Sequence, residues 1–218
     1  MGTRDLLFEI GTEEIPARFM PWALEKIKEL AAEEFQKERL GYNVIESFGT
    51  PRRIVIHVKG LQEKQEDLVE EIKGPLWNQA FDVYNNPTRA ALGFAKSRGV
   101  PVESLKKEEV NGQLYAFAVI RQEGKDTTLI LPDLLGRLVR HLVFPKNMYW
   151  REPNLRFVRP IRWLLCLYGN EVVPMELGNL RGDKVTRGHR FMGSSRVEIN
   201  SSNEYFEKLY DNYVIVDQ

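Results

Sequence analysis

The residue types able to do chemistry in this chain are few and scattered. The three histidines, His57, His141 and His189, are far apart in the sequence, so a histidine-rich metal centre has no local signal. The single cysteine, Cys166, lies in an apolar segment and reads as a core residue; one cysteine closes no internal disulfide and builds no thiolate-rich zinc site. Glu9, Glu13 and Glu14 form an early acidic cluster. Two neighbouring carboxylates can share general acid–base work when their surroundings separate their pKa values. Adjacent acids at a helix start have a simpler use against the unpaired amides and the helix dipole, which is the reading favoured for Glu13 and Glu14. The sequence has no GxGxxG after its first strand, no GxxxxGK[ST], no HExxH and no G-x-S-x-G. No catalytic, cofactor-binding or metal-binding residue is therefore assigned.

Arginine is the more informative type. Arg156, Arg159 and Arg162 recur every three residues, and Arg187 and Arg190 are again three apart. On one strand that spacing does not share a face, but around turns the side chains can converge. The planar guanidinium fork suits phosphate and carboxylate oxygens. Solvation and pairing to Glu or Asp are the competing uses. Trp150 and Trp163 fit core packing first and base stacking second. Formal charge is zero, from 31 basic and 31 acidic residues, which argues against a dedicated nucleic-acid coat. The distribution is uneven, however: residues 137–190 carry 11 Lys or Arg against 4 Asp or Glu. A basic face on a neutral protein suits a large, transiently bound RNA or an acidic protein surface.

The elements that position these residues alternate irregularly. Residues 6–10 read as a strand, followed by a turn through Gly11–Pro16 in which Thr12 or Glu13 caps the next helix, with Pro16 near its first turn. That helix runs through Met20, Leu24, Ile27 and Leu30, and Gly41 stops the segment. A strand begins at Val44, Gly49-Thr50-Pro51 turns, and residues 52–58 form a β-branched strand on which His57 is a structural residue. Residues 68–73 read as a strand. Asn86 caps a helix with Pro87 at its first position, closed by Gly99. Asn111-Gly112 suggests a hairpin before 114–120. Residues 129–144 are the most amphipathic helix, with His141 at its border. Strands are expected at 155–158, 161–168, 171–177, 197–199 and 214–217, with a helix over 202–210 and a basic loop over 186–191.

Without regular βαβ spacing the expected class is α+β, a mixed or antiparallel sheet domain with packed helices and a smaller, mostly helical insertion. Residues 1–74 and 151–218 would form a discontinuous outer domain, and 75–150 the insertion with a possible hairpin. The composition shifts at Gly74-Pro75 and around 145–153 suggest those boundaries. No apolar run approaches bilayer length and the acidic N-terminus does not read as a signal peptide, so no membrane is expected and the cytoplasm is the expected compartment.

Six segments, in this order, resemble the beta-subunit family of bacterial heterotetrameric glycyl-tRNA synthetase: LLFEIGTEEIPARF, FGTPRRIVIHV, GPLWNQAF, NPTRAALGFAKSRGV, FVRPIRWLLCLYG and TRGHRF. Together they span nearly the whole chain. The resemblance implies an N-terminal region of the beta subunit, working in an alpha-two beta-two holoenzyme. Its partners would be the alpha subunit, the remainder of the beta subunit and tRNA-Gly. ATP and magnesium would belong to the alpha-subunit active site. The region itself would be a non-catalytic part of a glycine-tRNA ligase, holding the tRNA acceptor arm. The candidate tRNA-binding residues are Arg52, Arg53, Lys96, Arg98, Arg159, Arg162, Arg187 and Arg190; Arg52 and Arg53 should face opposite ways if both lie in the strand. The alternative is a protein-interaction and assembly domain with little RNA contact, marked by exposed Phe19 or Trp22. An editing hydrolase, by analogy with a module of the phenylalanyl enzyme's beta chain, is the least favoured reading: no water-activating group is evident, and a glycine pocket excludes larger side chains sterically.

Overall fold

The computed structural model describes residues 2–149 and 156–217. Trp150, Leu155 and part of the 145–153 boundary segment lie outside the described residues. Contacts divide the chain into two units: the two ends of the chain, through Gln65 and again from Lys125, form the larger, and Glu66–Gly124 forms the smaller.

The larger unit opens with β1 (Thr3–Thr12), α1 (Met20–Lys37), β2 (Val44–Thr50) and β3 (Arg53–Gln62). A short 3-10 turn, Ala17–Phe19, precedes α1, and Pro21 occupies its first turn. The helix thus starts later than expected, with no side-chain cap from Thr12 or Glu13, because β1 extends through Thr12 and Glu13 turns to pair with Arg162. Ala23, Ile27, Leu30, Ala31 and Phe35 are its buried apolar residues, a spacing of three and four that lays one stripe on the sheet. Each large apolar side chain so buried contributes roughly 1.5–3 kcal/mol.

In the smaller unit, β4 (Leu68–Leu76) is followed by the short α2 (Trp77–Ala80), α3 (Arg89–Arg98), β5 (Lys106–Val110) and β6 (Gln113–Gln122). The sheet order is β4-β6-β5, all antiparallel. Asn111 and Gly112 both have positive φ, 55° and 77°, as a two-residue hairpin whose twist matches its strands requires. The cap of α3 differs from expectation. Thr88 is the N-cap, its Oγ1 accepting from Ala90 N, while the Asn86 side chain is turned to Asp82, its Nδ2 donating to Asp82 Oδ2 at 3.1 Å. Gly99 closes the helix at φ 68°. The core is small: Ala80, Phe81, Ala91, Ala95, Leu105, Ala116 and Ala118.

The chain returns to the larger unit with α4 (Thr127–His141), then β7 (Met148–Tyr149), β8 (Arg156–Phe157) and β9 (Ile161–Tyr168). The short β10 (Glu171–Val172), β11 (Glu176–Leu177), β12 (Leu180–Asp183), β13 (Val185–Thr186) and β14 (Val197–Glu198) and the helix α5 (Tyr205–Asp211) complete it. The segment expected as one strand over 171–177 is thus two. The expected strand over 214–217 is absent. Tyr213, at φ 60°, reverses the chain, and Val214 N donates to Leu209 O at the end of α5 and not to a sheet neighbour.

The main sheet runs β11-β12-β9-β1-β3-β2, with β10 also on β9. Every pairing is antiparallel except β12 with β9. β1 is central, and Glu9 stands opposite Val55 on one side and Leu165 on the other. Strand alternation sorts the residues by face. Leu6, Phe8, Ile10, Ile54, Ile56, Leu164 and Cys166 join the α1 and α4 core. Leu7, Val55, Leu165 and Leu167 face the other way, under Val197, Ile199, Tyr205 and Leu209. Arg137 ties the two helices of the first layer, its Nε 2.6 Å from Glu34 and its Nη2 2.7 Å from Glu38.

Candidate nucleic-acid interface

The second face of the sheet carries a sealed charge cluster. Glu9 is fully buried, and its carboxylate accepts from the indole Nε1 of Trp163, the hydroxyl of Thr186 at 2.6 Å and the hydroxyl of Tyr205. Arg53, 3% exposed, lies 3.5 Å from Glu9 as its ion partner. The same guanidinium donates to Thr186 Oγ1 at 3.3 Å and to Arg187 O at 2.6 Å. Burial alone would lower the Arg53 pKa, but the Glu9 carboxylate and Tyr205 outweigh it and raise it. Burial, then Glu9, pushes the Tyr205 phenol well above its ordinary range, so it stays a donor. The same two causes, in the same order, raise the Cys166 thiol. Gly11 makes room: a Cβ there would stand 1.9 Å from the Trp163 ring. The cluster is closed to substrate, and its evident work is to fix β1, β3, β9, β13 and α5 in one arrangement.

Above it, the turns at one end of the sheet gather cations. The Trp163 ring has Arg187 at 4.8 Å and Arg52 and Arg53 at 5.8 Å from its centroid. Arg162 is exposed and pairs with Glu13 at 2.7 Å. That hydrogen bond, against the opposing effect of burial and aided by the charges of Arg162, Arg52 and Arg190, holds the Glu13 carboxyl below its usual range. Arg159 Nε donates to Glu14 O at 2.9 Å. Three depressions link these groups. One of about 690 Å³ is lined by Arg52, Arg53, His189, Arg190, Phe191 and Tyr213, among others. A second, of about 480 Å³, joins Arg159 and Arg190 across Glu13, Glu14 and Pro51. A third, of about 270 Å³, joins Arg162 and Arg187 with Arg181 and Arg196.

Five of the eight cations singled out in the sequence, Arg52, Arg159, Arg162, Arg187 and Arg190, thus share this rim. Arg53 sits beneath it, occupied by Glu9. Lys96 and Arg98 are exposed on the last turn of α3 in the smaller unit. Arg181 and Arg196 belong to the rim without having been singled out. Glu9 had a sequence signal, an acid inside the apolar run Leu6–Ile10. Its partner Tyr205, 196 residues away, had none.

His57 is 5% exposed on β3, between Asp5 and Glu46 at 3.8 Å each, and burial lowers its pKa despite them. His141 lies at the α4 border, 3.9 Å from Glu34, and His189 Nδ1 accepts from the amides of Phe191 and Met192. Among the described residues no group of three or more His, Cys, Asp or Glu is placed to hold a metal, and no helix is long and apolar enough to cross a membrane.

Geometry alone defines an α+β module with a locked carboxylate–guanidinium core and a cationic rim. The chain belongs to the glycyl-tRNA synthetase beta subunit family, whose model matches residues 6–218. It is 49% identical over 99% of its length to the glycine–tRNA ligase beta subunit of Moorella thermoacetica, and covers 31% of that protein. It is 44% identical to the corresponding subunit of Clostridioides difficile over 98% of the chain and 31% of the relative. For Bacillus subtilis the figures are 41%, 100% and 32%. The chain therefore spans about a third of the length of the curated relatives it matches.

Proposed function

We propose that this chain is a non-catalytic, tRNA-positioning region of the beta subunit, and that its arginine rim holds backbone phosphates of the tRNA-Gly acceptor arm. The partners on this reading are tRNA-Gly, the alpha subunit, which would carry the ATP- and magnesium-dependent site, and the rest of the beta subunit in an alpha-two beta-two assembly. The observation that carries it is the convergence of Arg52, Arg159, Arg162, Arg187 and Arg190, from three separate stretches of sequence, on one end of the sheet. Such a surface supplies charge and geometry rather than reaction chemistry. Holding the acceptor arm would raise the effective concentration of its 3′ end at a neighbouring active site. Cationic residues along the exposed end of α3, Lys96 and Arg98, would extend phosphate contact in the smaller unit.

A salt titration of binding to tRNA-Gly, with an unrelated tRNA alongside, tests this. Affinity should fall linearly in the log–log plot, and Arg162→Ala and Arg190→Ala should each reduce the slope by about 1. Folded protein that binds no tRNA at low salt would sink the reading.

A second reading, an assembly surface for the alpha subunit, draws on Trp22, 36% exposed and set against Phe144 at 5.1 Å. Trp22→Ala should then weaken subunit association while leaving tRNA binding intact.

A further inference from the structure

The largest depression on the rim carries more than charge. Phe191 is 86% exposed and Tyr213 61% exposed, and both border it. Tyr213 is the residue just past α5, at φ 60°, with Val214 N bonded back to Leu209 O and Tyr213 N to Tyr210 O. This helix-ending geometry ordinarily takes glycine, because a side chain at positive φ is strained. The strain here is not relieved by burying the ring. The neighbouring loop is held against the same point. His189 N donates to Asn212 O at 2.8 Å and Ser194 N to Asn212 Oδ1 at 3.0 Å. A Cβ on Gly193 would stand 2.4 Å from Asn212 O, so the loop reaches this position only with glycine. Arg52 and Arg190 line the depression as cations, while Arg53 beneath them is held by Glu9. Exposed aromatic rings and cations bordering one concavity match a flat π-system joined to an anion.

We propose that this depression seats one unpaired nucleotide of an RNA strand, its base against Phe191 and Tyr213 and its phosphate at Arg52 and Arg190. The proposal rests on the rim reading above and narrows it. The rim holds the duplex by its backbone, and the depression holds a nucleotide that has left it. Stacking accepts any base, so the site recognises the unpaired state and not the sequence.

Full-length protein is titrated against two fluorescent RNA hairpins, one blunt and one with four unpaired 3′ nucleotides, followed by anisotropy. Wild type should hold the overhanging hairpin about 10-fold tighter, the size that one stacked base supplies. Phe191→Ala and Tyr213→Gly should each erase most of that ratio. Tyr213→Gly should do so with an unchanged or raised Tm, which loss of folding would not give. Equal wild-type affinity for the two hairpins overturns the nucleotide site and leaves the rim standing. Binding of neither overturns both. Retention of the 10-fold ratio in both variants overturns the site, as does displacement of the overhanging hairpin by free AMP at the RNA's own affinity.

Discussion

Glu9 can keep its place in the middle of a sheet only because every oxygen direction is answered. Trp163 and Thr186 donate to one oxygen, Tyr205 to the other, and Arg53 supplies the charge. Removing one charge of such a pair leaves the other buried and unpaired, at a cost of roughly 3–5 kcal/mol. Glu9→Gln should therefore destabilise the larger unit by an amount near that range in urea unfolding. Tyr205→Phe, which removes one donor to a charged group and leaves the ring, should cost about 1.5–3 kcal/mol. A loss below ~0.5 kcal/mol for Glu9→Gln would mean that the cluster does not hold the fold. His57 gives a pH signature at the same scale. Its folded pKa lies below the ordinary 6.5, with burial the leading cause and Asp5, Lys59 and Glu46 around it. Between the two values the unfolded chain binds more protons than the folded one. The stability it contributes is present above pH 6.5 and drains as pH falls through that window. Replacing His57 with Phe should flatten the slope of stability against pH just below 6.5; an unchanged slope would exclude His57 as its source. How legible these residues were differs sharply. Glu9 was legible as one of an early acidic cluster with Glu13 and Glu14, yet its buried role was not, because Tyr205 reaches it from 196 positions away. Arg53 was recognised as a cation, but its fate turned on the face it occupies at the start of β3.

Elements were most readable where one chain segment decides them. β9 spans Ile161–Tyr168 as its apolar run implies, and the Asn111-Gly112 hairpin follows from backbone geometry that those two residues tolerate. Elements decided by competition were not. Asn86 is a good cap in isolation, but Asp82 engages its side chain and Thr88 caps α3 instead. The run from Val214 looks like a strand, but the turn at Tyr213 hands its first amide to α5. For α4 the apolar stripe announced a partner without naming it; the partner is α1, through the shared core and through Arg137 between Glu34 and Glu38. Glu34 is 2% exposed, and its pKa is lowered because Lys37 and Arg137 outweigh the burial that would raise it. Arg137→Met should separate the helices' polar seam and destabilise the larger unit by about 2 kcal/mol, since a hydrogen bond to a charged group is worth roughly 1.5–3 kcal/mol. Glu34→Gln in the Arg137→Met background should recover part of the loss by removing a buried charge then held by Lys37 as its ion partner at 2.9 Å. A double-mutant cycle with no coupling would refute the link.

At the scale of the whole molecule, a neutral chain presents a cationic rim by separating its charges. The basic excess of residues 137–190 feeds the rim through Arg159, Arg162, Arg187 and Arg190, and β3's preceding turn adds Arg52. The smaller unit offers its own cations on α3, and the way it joins the larger unit permits the two contributions to be measured apart. Gln65 N donates to Lys125 O at 3.0 Å, and Lys125 N to Gln65 Oε1 at 3.0 Å, so the exit and re-entry points stand side by side. Thr127 then anchors the returning chain, its hydroxyl donating to Gln62 O at 2.6 Å. Joining ends that already touch adds little loop-closure cost. Replacing Glu66–Gly124 with a short glycine-containing turn should leave the larger unit folded, with a cooperative melt and Tm within a few degrees of the parent. The salt slope of RNA binding in this deletion then reports the rim alone. A slope smaller than the parent's would assign phosphate contacts to the smaller unit, whose seven Lys and Arg include Lys96 and Arg98, each contact counting for roughly 0.7–0.9. An unchanged slope would confine RNA contact to the rim, and a non-cooperative melt would show that the larger unit depends on the insertion for its fold.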